Sequence, residues 1–100
     1  YFTKIIQKLL KDKGIREYYD PKLRSYNEIE ILNDNGDVYR LDRVVELNKN
    51  SVAVIDYKTG KNKDEDKNQV NYYKELLSKI YKGEVCGFIA YIDPIKIIKT

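Results

Sequence analysis

Residues 52–58 read Val-Ala-Val-Ile-Asp-Tyr-Lys. Four apolar residues in a row predict a strand hidden on both faces, because a strand with one wet face would alternate. The run then stops on Asp56, Tyr57 and Lys58, ahead of Thr59-Gly60. A buried strand that ends by placing a carboxylate and an ammonium on one face, two residues apart, constrains the fold and its chemistry together.

The flanking segments supply what such a strand needs. Phe2, Ile5, Ile6, Leu9 and Leu10 fall on one stripe of an amphipathic helix, with Gly14 as its end. Asp20-Pro21 marks a loop, since the residue before proline avoids helical geometry. From Tyr26 to Leu32 the pattern alternates, Ile29 and Ile31 on one face and Glu28 and Glu30 on the other. Asn33-Asp34-Asn35-Gly36-Asp37 predicts a hairpin turn with Gly36 at positive φ. A second strand follows over 38–47, then a turn at 48–50 and the apolar strand. A charged loop, 60–68, leads to a helix over about 65–81, whose buried stripe is Val70, Tyr73, Leu76, Leu77 and Ile80. Residues 85–92 predict a last buried strand. The order is helix, three strands, helix, strand: a mixed α/β domain.

Composition excludes several classes of function. One hundred residues suit a single domain, 1–100, with one core. The lack of any Met, with a helical stripe at the very start, leads us to expect a domain of a longer protein. No apolar run approaches the ~18 residues of a membrane span and no signal-peptide pattern appears, so no membrane partner is expected and the expected location is cytoplasmic. Cys86 is the one cysteine and there is no His, which leaves no disulfide, no cysteine-held cluster and no ordinary zinc site. Any metal would rest on carboxylates, which favours Mg²⁺, Mn²⁺ or Ca²⁺. The net charge of +3 permits a polyanionic partner without demanding one.

Acid-any-Lys also occurs at Asp20–Lys22 and Glu65–Lys67, but only Asp56-Tyr57-Lys58 ends an apolar strand. What faces Asp56 depends on loop lengths. A three-residue loop at 48–50 sets Asp42 across from Asp56, whereas a two-residue loop turns Asp42 to the other face. A three-residue loop at 34–36 likewise pairs Glu28 with Asp42. With strands about 4.8 Å apart, Glu28, Asp42 and Asp56 would form one acidic row. Carboxylates so placed repel one another unless a cation lies between them, and hard oxygen donors suit Mg²⁺ or Mn²⁺. Such an ion could polarise a phosphoryl oxygen and activate water, with Lys58 beside it. The plainer reading is polar strand ends meeting solvent, with Asp42 paired to Arg40 or Arg43, and Glu30 competes with Glu28 as the acidic strand residue. Gln69, four residues before Tyr73, heads the helix stripe, and is either exposed or able to reach the Lys58 cluster.

Taken together, "YRLDRVV", "VIDYKTG" and "QVNYY" resemble the signatures of the PD-(D/E)XK nuclease superfamily. More narrowly they resemble its RecB-like branch, the nuclease domains of UvrD/RecB-type helicases and AddAB-type exonucleases. The resemblance implies an αβββαβ restriction-endonuclease-like core, a central mixed sheet flanked by helices. It implies catalytic roles for Asp42, Asp56, Lys58 and Gln69. Asp42, Asp56, the backbone carbonyl of Tyr57 and Glu28 would be metal ligands to Mg²⁺ or Mn²⁺. Tyr73 completes the Gln-x-x-x-Tyr pattern, and Tyr73, Lys61 and Lys63 are the candidate substrate contacts. Lys67 and a base-stacking Tyr72 are further possibilities. The implied activity is metal-dependent hydrolysis of DNA phosphodiesters, exonuclease-like, beside a helicase partner in repair or recombination.

Two positions depart from the pattern. Tyr39 stands where a Gly is common, and no His precedes the first strand, where Glu17 is the acidic candidate. Cys86 alone cannot hold the iron–sulfur cluster of some relatives. The rival expectation is a catalytically inactive module of the same fold, kept for DNA binding or helicase docking.

Overall fold

The computed structural model describes residues 15–61, 63–92 and 95–100. The helix expected at the start of the chain lies outside these residues. The elements are a 3-10 turn, Arg16–Tyr19, then strands β1 (Arg24–Leu32), β2 (Val38–Asn48) and β3 (Ser51–Lys58), helix α1 (Asp64–Ser78), and strands β4 (Glu84–Ile92) and β5 (Ile95–Lys99). They form an α/β fold around one mixed five-stranded sheet in the order β1-β2-β3-β4-β5. Only β3 and β4 run parallel, joined through α1; the other neighbours are antiparallel.

The strand β5 is an addition to the expected order. Ile97 and Ile98 pair with Ala90 and Ile89, so β5 covers the edge that β4 would otherwise present. Its five residues, Ile-Lys-Ile-Ile-Lys, are too short to carry a clear period of two. Helix α1 ends earlier than its stripe suggests. Ser78 is its last residue, and Ile80 is 60% exposed rather than buried. Val70, Tyr73, Leu76 and Leu77 do form the buried face.

Each face of the sheet has its own core. On one, α1 packs Val70, Tyr73, Leu76 and Leu77 onto Leu41, Val44, Val52, Val54 and Ile89. On the other, Ile15 and Tyr18 of the 3-10 segment cover Val45, Ala53, Ile55, Phe88 and Ala90. That two-sided cover is why residues 52–55 need no polar alternation: all four are at most 1% exposed.

Two loops set the register. Asn33 and Asp37 close the first hairpin around a three-residue loop, with Gly36 at φ 84°. Asn48 pairs with Ser51 around a two-residue turn, and the Asn50 N–H is taken by Asn48 Oδ1 at 2.7 Å. A bulge between Glu46 and Asn48 then shifts β2 by one residue, so that Arg43 pairs with Ile55. The loop is thus even-numbered, yet the register is the one that a three-residue loop would give.

The approach of α1 depends on Gly87. A Cβ there would lie 2.6 Å from Val70 Cγ1 and 2.6 Å from Thr100 Oγ1. Gly87→Ala is therefore expected to push α1 off β4 and destabilise the fold by about 1–3 kcal/mol in urea unfolding. An unchanged midpoint would show that the helix can retreat without loss.

Candidate active site

Strand alternation sends Asp56 and Lys58 to the α1 side of β3 and Tyr57 to the other. Asp42 arrives from β2. The β2–β3 ladder ends at Arg43–Ile55, and beyond it the Tyr57 N–H donates to Asp42 Oδ2 at 2.9 Å. A side chain has taken over where backbone pairing stops, so the Asp42 carboxylate sits within hydrogen-bond reach of the Asp56 carboxyl.

Asp56 is 4% exposed, the buried charged residue among the described ones. Desolvation, and then the Asp42 carboxylate beside it, push its pKa up to about 6, against the opposing pull of Lys58. Lys58 Nζ lies 3.1 Å from Asp56 Oδ2, but out of alignment for a hydrogen bond, which leaves that buried oxygen without a donor aimed at it. Lys58 donates instead to Gln69 Oε1 on α1. One turn further along, the Tyr73 hydroxyl lies near Gln69. Burial raises its pKa first, and the charges of Asp56 and Asp42 raise it further. Asp42, Asp56, Lys58, Gln69 and Tyr73 thus meet where β3 runs out under α1.

Other expected residues lie elsewhere. Glu28 does not join the row. The β1–β2 register would set it opposite Asp42, but the ladder skips it, and its φ of 55° turns it outward. There its side chain, 66% exposed, pairs with Arg40 at 3.7 Å. Left-handed backbone at a glutamate marks a local break in the strand, and no alternation pattern foretells it. Glu30 is also exposed, paired in register with Arg40. Tyr73 is 5% exposed and belongs to the core, so its ring is not presented to a large substrate. Tyr57 also contributes its amide, which donates to Asp42 Oδ2.

Lys61, Lys63 and Lys67 are exposed. Tyr72 packs edge-on against Tyr39, ring centroids 5.1 Å apart, and its hydroxyl accepts from Asn33 Nδ2 at 3.2 Å. Glu17 is exposed on the 3-10 turn, which packs against the face away from α1. The ion pairs anticipated for Asp42 go to other partners. Arg40 serves Glu28, and Arg43 crosses to the far face, donating to Asn27 Oδ1 and to the Tyr18 carbonyl.

Sequence reasoning missed a brace beside the site. Tyr91, in register with Lys58, donates to Asp66 Oδ2 at 2.7 Å and accepts the Lys63 N–H at 3.4 Å. It ties the loop after Lys58 to the first turn of α1. The one available signal was a Tyr in a buried run, whose hydroxyl needs a partner.

No group of three or more carboxylate, His or Cys side chains is spaced to hold a metal ion among the described residues. Two abutting carboxylates remain, one with a buried oxygen lacking an aligned donor. That all-oxygen pair fits a hard divalent cation of the Mg²⁺ kind, which is commonly held by one or two carboxylates with the remaining positions left to water or phosphate.

No family model and no curated protein matches this chain. Among solved structures it is similar to that of the protein SSO0001, with a TM-score of 0.56 and 20% identity, over 98% of this chain and 57% of that one. The likeness is one of fold, and this chain spans little more than half the length of that neighbour. No helix among the described residues is long and apolar enough to cross a membrane.

The raised pKa of Asp56 has a stability consequence with a definite sign. The folded state holds the proton more tightly than the unfolded chain, whose carboxyl titrates near 3.8. Stability from this group is therefore full below about pH 4 and lost as pH rises through about 6. Asp56→Asn removes the charge and keeps the volume. The variant is expected to match wild type near pH 3.5 and to exceed it above pH 6.5 by roughly 1–3 kcal/mol in urea unfolding. A difference that stays constant across that range would remove the electrostatic account.

Proposed function

We propose that this chain is a metal-dependent nuclease domain with an αβββαβ restriction-endonuclease-like core. In this reading it hydrolyses DNA phosphodiesters, is attached to a DNA helicase, and works in repair or recombination. The observation that carries the reading is the meeting of Asp42, Asp56, Lys58 and Gln69 at the end of β3, with an Asp56 oxygen buried and without an aligned donor. A chain gains nothing in stability from burying such a carboxylate. The sequence resemblance assigns the same four residues to catalysis, from motifs on β2, β3 and α1.

In this reading Asp42 and Asp56 hold Mg²⁺ or Mn²⁺, which supplies charge neutralisation and polarisation at the phosphate. The chain's own residues do the rest. The Tyr57 N–H fixes one oxygen of Asp42, so the pair is set before anything binds. Lys58 holds its ammonium beside the acids, directed by Gln69, where it can stabilise negative charge developing on the phosphoryl oxygens as water attacks in line. The exposed Lys61 and Lys63 offer phosphate contacts to the DNA backbone.

A second reading, an inactive nuclease-fold module for DNA binding or helicase docking, is favoured by one observation: Glu28 faces solvent and leaves two carboxylates rather than three. Calorimetric titration of Mn²⁺ separates the two. The nuclease reading expects wild type to bind, Asp56→Ala to lose binding, and Lys58→Ala to keep it while cleavage of DNA falls by about 10²–10³-fold. Absence of binding at millimolar Mn²⁺ would favour the inactive module.

A further inference from the structure

Alternation places the residue after each acid on the opposite side of the sheet. Arg43 follows Asp42, Tyr57 follows Asp56, and both reach the face covered by the 3-10 turn. There the Tyr57 hydroxyl is hydrogen-bonded to that of Tyr19. The Arg43 guanidinium lies 4.4 Å from the centre of the Tyr19 ring. It also donates to the Tyr18 carbonyl at 3.1 Å and to Asn27 Oδ1 at 3.2 Å, while its Nε is buried without a hydrogen-bond partner among the described residues. Tyr19 therefore touches both residues, and through them both strand ends.

The geometry matters because β2 and β3 no longer pair at this point. Their ladder ends at Arg43–Ile55, and the next link is the Asp42 carboxylate on the Tyr57 amide. With backbone pairing finished, the separation of the two strands must be held by side chains. On the α1 side the acids repel one another and would push the strands apart. On the far side a ring carries a cation over its face and a hydroxyl at its edge, drawing the same two strands together.

We propose that Tyr19, Tyr57 and Arg43 are positioning residues, a clamp on the back of the sheet that sets how closely Asp42 and Asp56 approach. Its functional meaning rests on the nuclease reading, whereas the clamp itself can be tested apart from it. The contact also makes the acid pair depend on the segment that precedes β1. A domain in which Tyr19 is displaced would keep its sheet and lose the fixed geometry of the site.

Tyr19→Phe and Tyr57→Phe each delete one hydroxyl and keep the ring. The test measures hydrogen exchange of the Tyr57 amide by NMR, with the amides of Val44 and Leu77 as references, alongside Mn²⁺ affinity by calorimetry. Exchange at Tyr57 is expected to quicken by roughly five- to tenfold in either variant, the size of one net hydrogen bond. The double variant should fall well short of the sum of the two single effects, because the two hydroxyls share one bond. The reference amides should stay put, and Mn²⁺ should bind more weakly by a similar factor. Unchanged exchange at Tyr57, or quickening in step with Val44 and Leu77, would overturn the clamp. Should wild type bind no Mn²⁺, the metal reading falls alone, and exchange at Tyr57 still decides the proposal.

Discussion

A bulge between Glu46 and Asn48 keeps β2 and β3 in the register on which the charged end of the sheet depends. The two-residue turn at Lys49-Asn50, continued without it, would set Tyr57 rather than Asp56 opposite Asp42. The carboxylates would then point to different faces. With the bulge, one extra residue is absorbed at Leu47, which packs on the far-face core. The strands then run in step through Val45–Ala53 and Val44–Val54 to the acids. Much of the chemistry argued for this chain follows from that one insertion.

The site works against the stability of its surroundings. Asp56 is buried among apolar neighbours, beside a second carboxylate, and Lys58 offsets this only in part. The rest of β3 bears the load. Val52, Ala53, Val54 and Ile55 are covered on both faces, by α1 and by the 3-10 turn, and β4 supports them along a parallel ladder. Burial of that kind is worth on the order of 1.5–3 kcal/mol for each large side chain, enough to carry one ill-placed charge. A strand made of alternating polar and apolar residues would lack that reserve. The apolar run and the charged end therefore belong together in energy as well as in sequence.

Much of this was legible in advance because it depends on local pattern. The run at 52–55, the Asn-Gly turn at 33–37 and the helix stripe at Val70, Tyr73, Leu76 and Leu77 follow from burial and period alone. Gln69 was placed by its spacing from Tyr73, and the structure brings it to Lys58. What escaped depends on tertiary geometry. A bulge at Leu47 changes register without any distinctive residue. The left-handed φ of Glu28 has no warning in a strand of ordinary residues. Ile80 fits the helical stripe, but α1 has already ended at Ser78, so period alone overshot. β5 is five residues long, and its pairing with β4 completes a sheet that the αβββαβ order leaves one strand shorter.

The two faces of the strand ends divide the work. Facing α1 are Asp42 and Asp56, which repel one another and leave one Asp56 oxygen without an aligned donor, with Lys58 offsetting them only in part. Facing away, the interactions are attractive, Arg43 over Tyr19 and Tyr19 to Tyr57, although Arg43 Nε is buried there without a hydrogen-bond partner among the described residues. Strand alternation makes that division nearly unavoidable, because each acid's successor must emerge on the other side. It also means that a change in one layer reaches the other through a single peptide unit, the amide of Tyr57 that Asp42 accepts. The residues that hold such a site in shape are then those next to its acids in sequence, across the sheet from them in space.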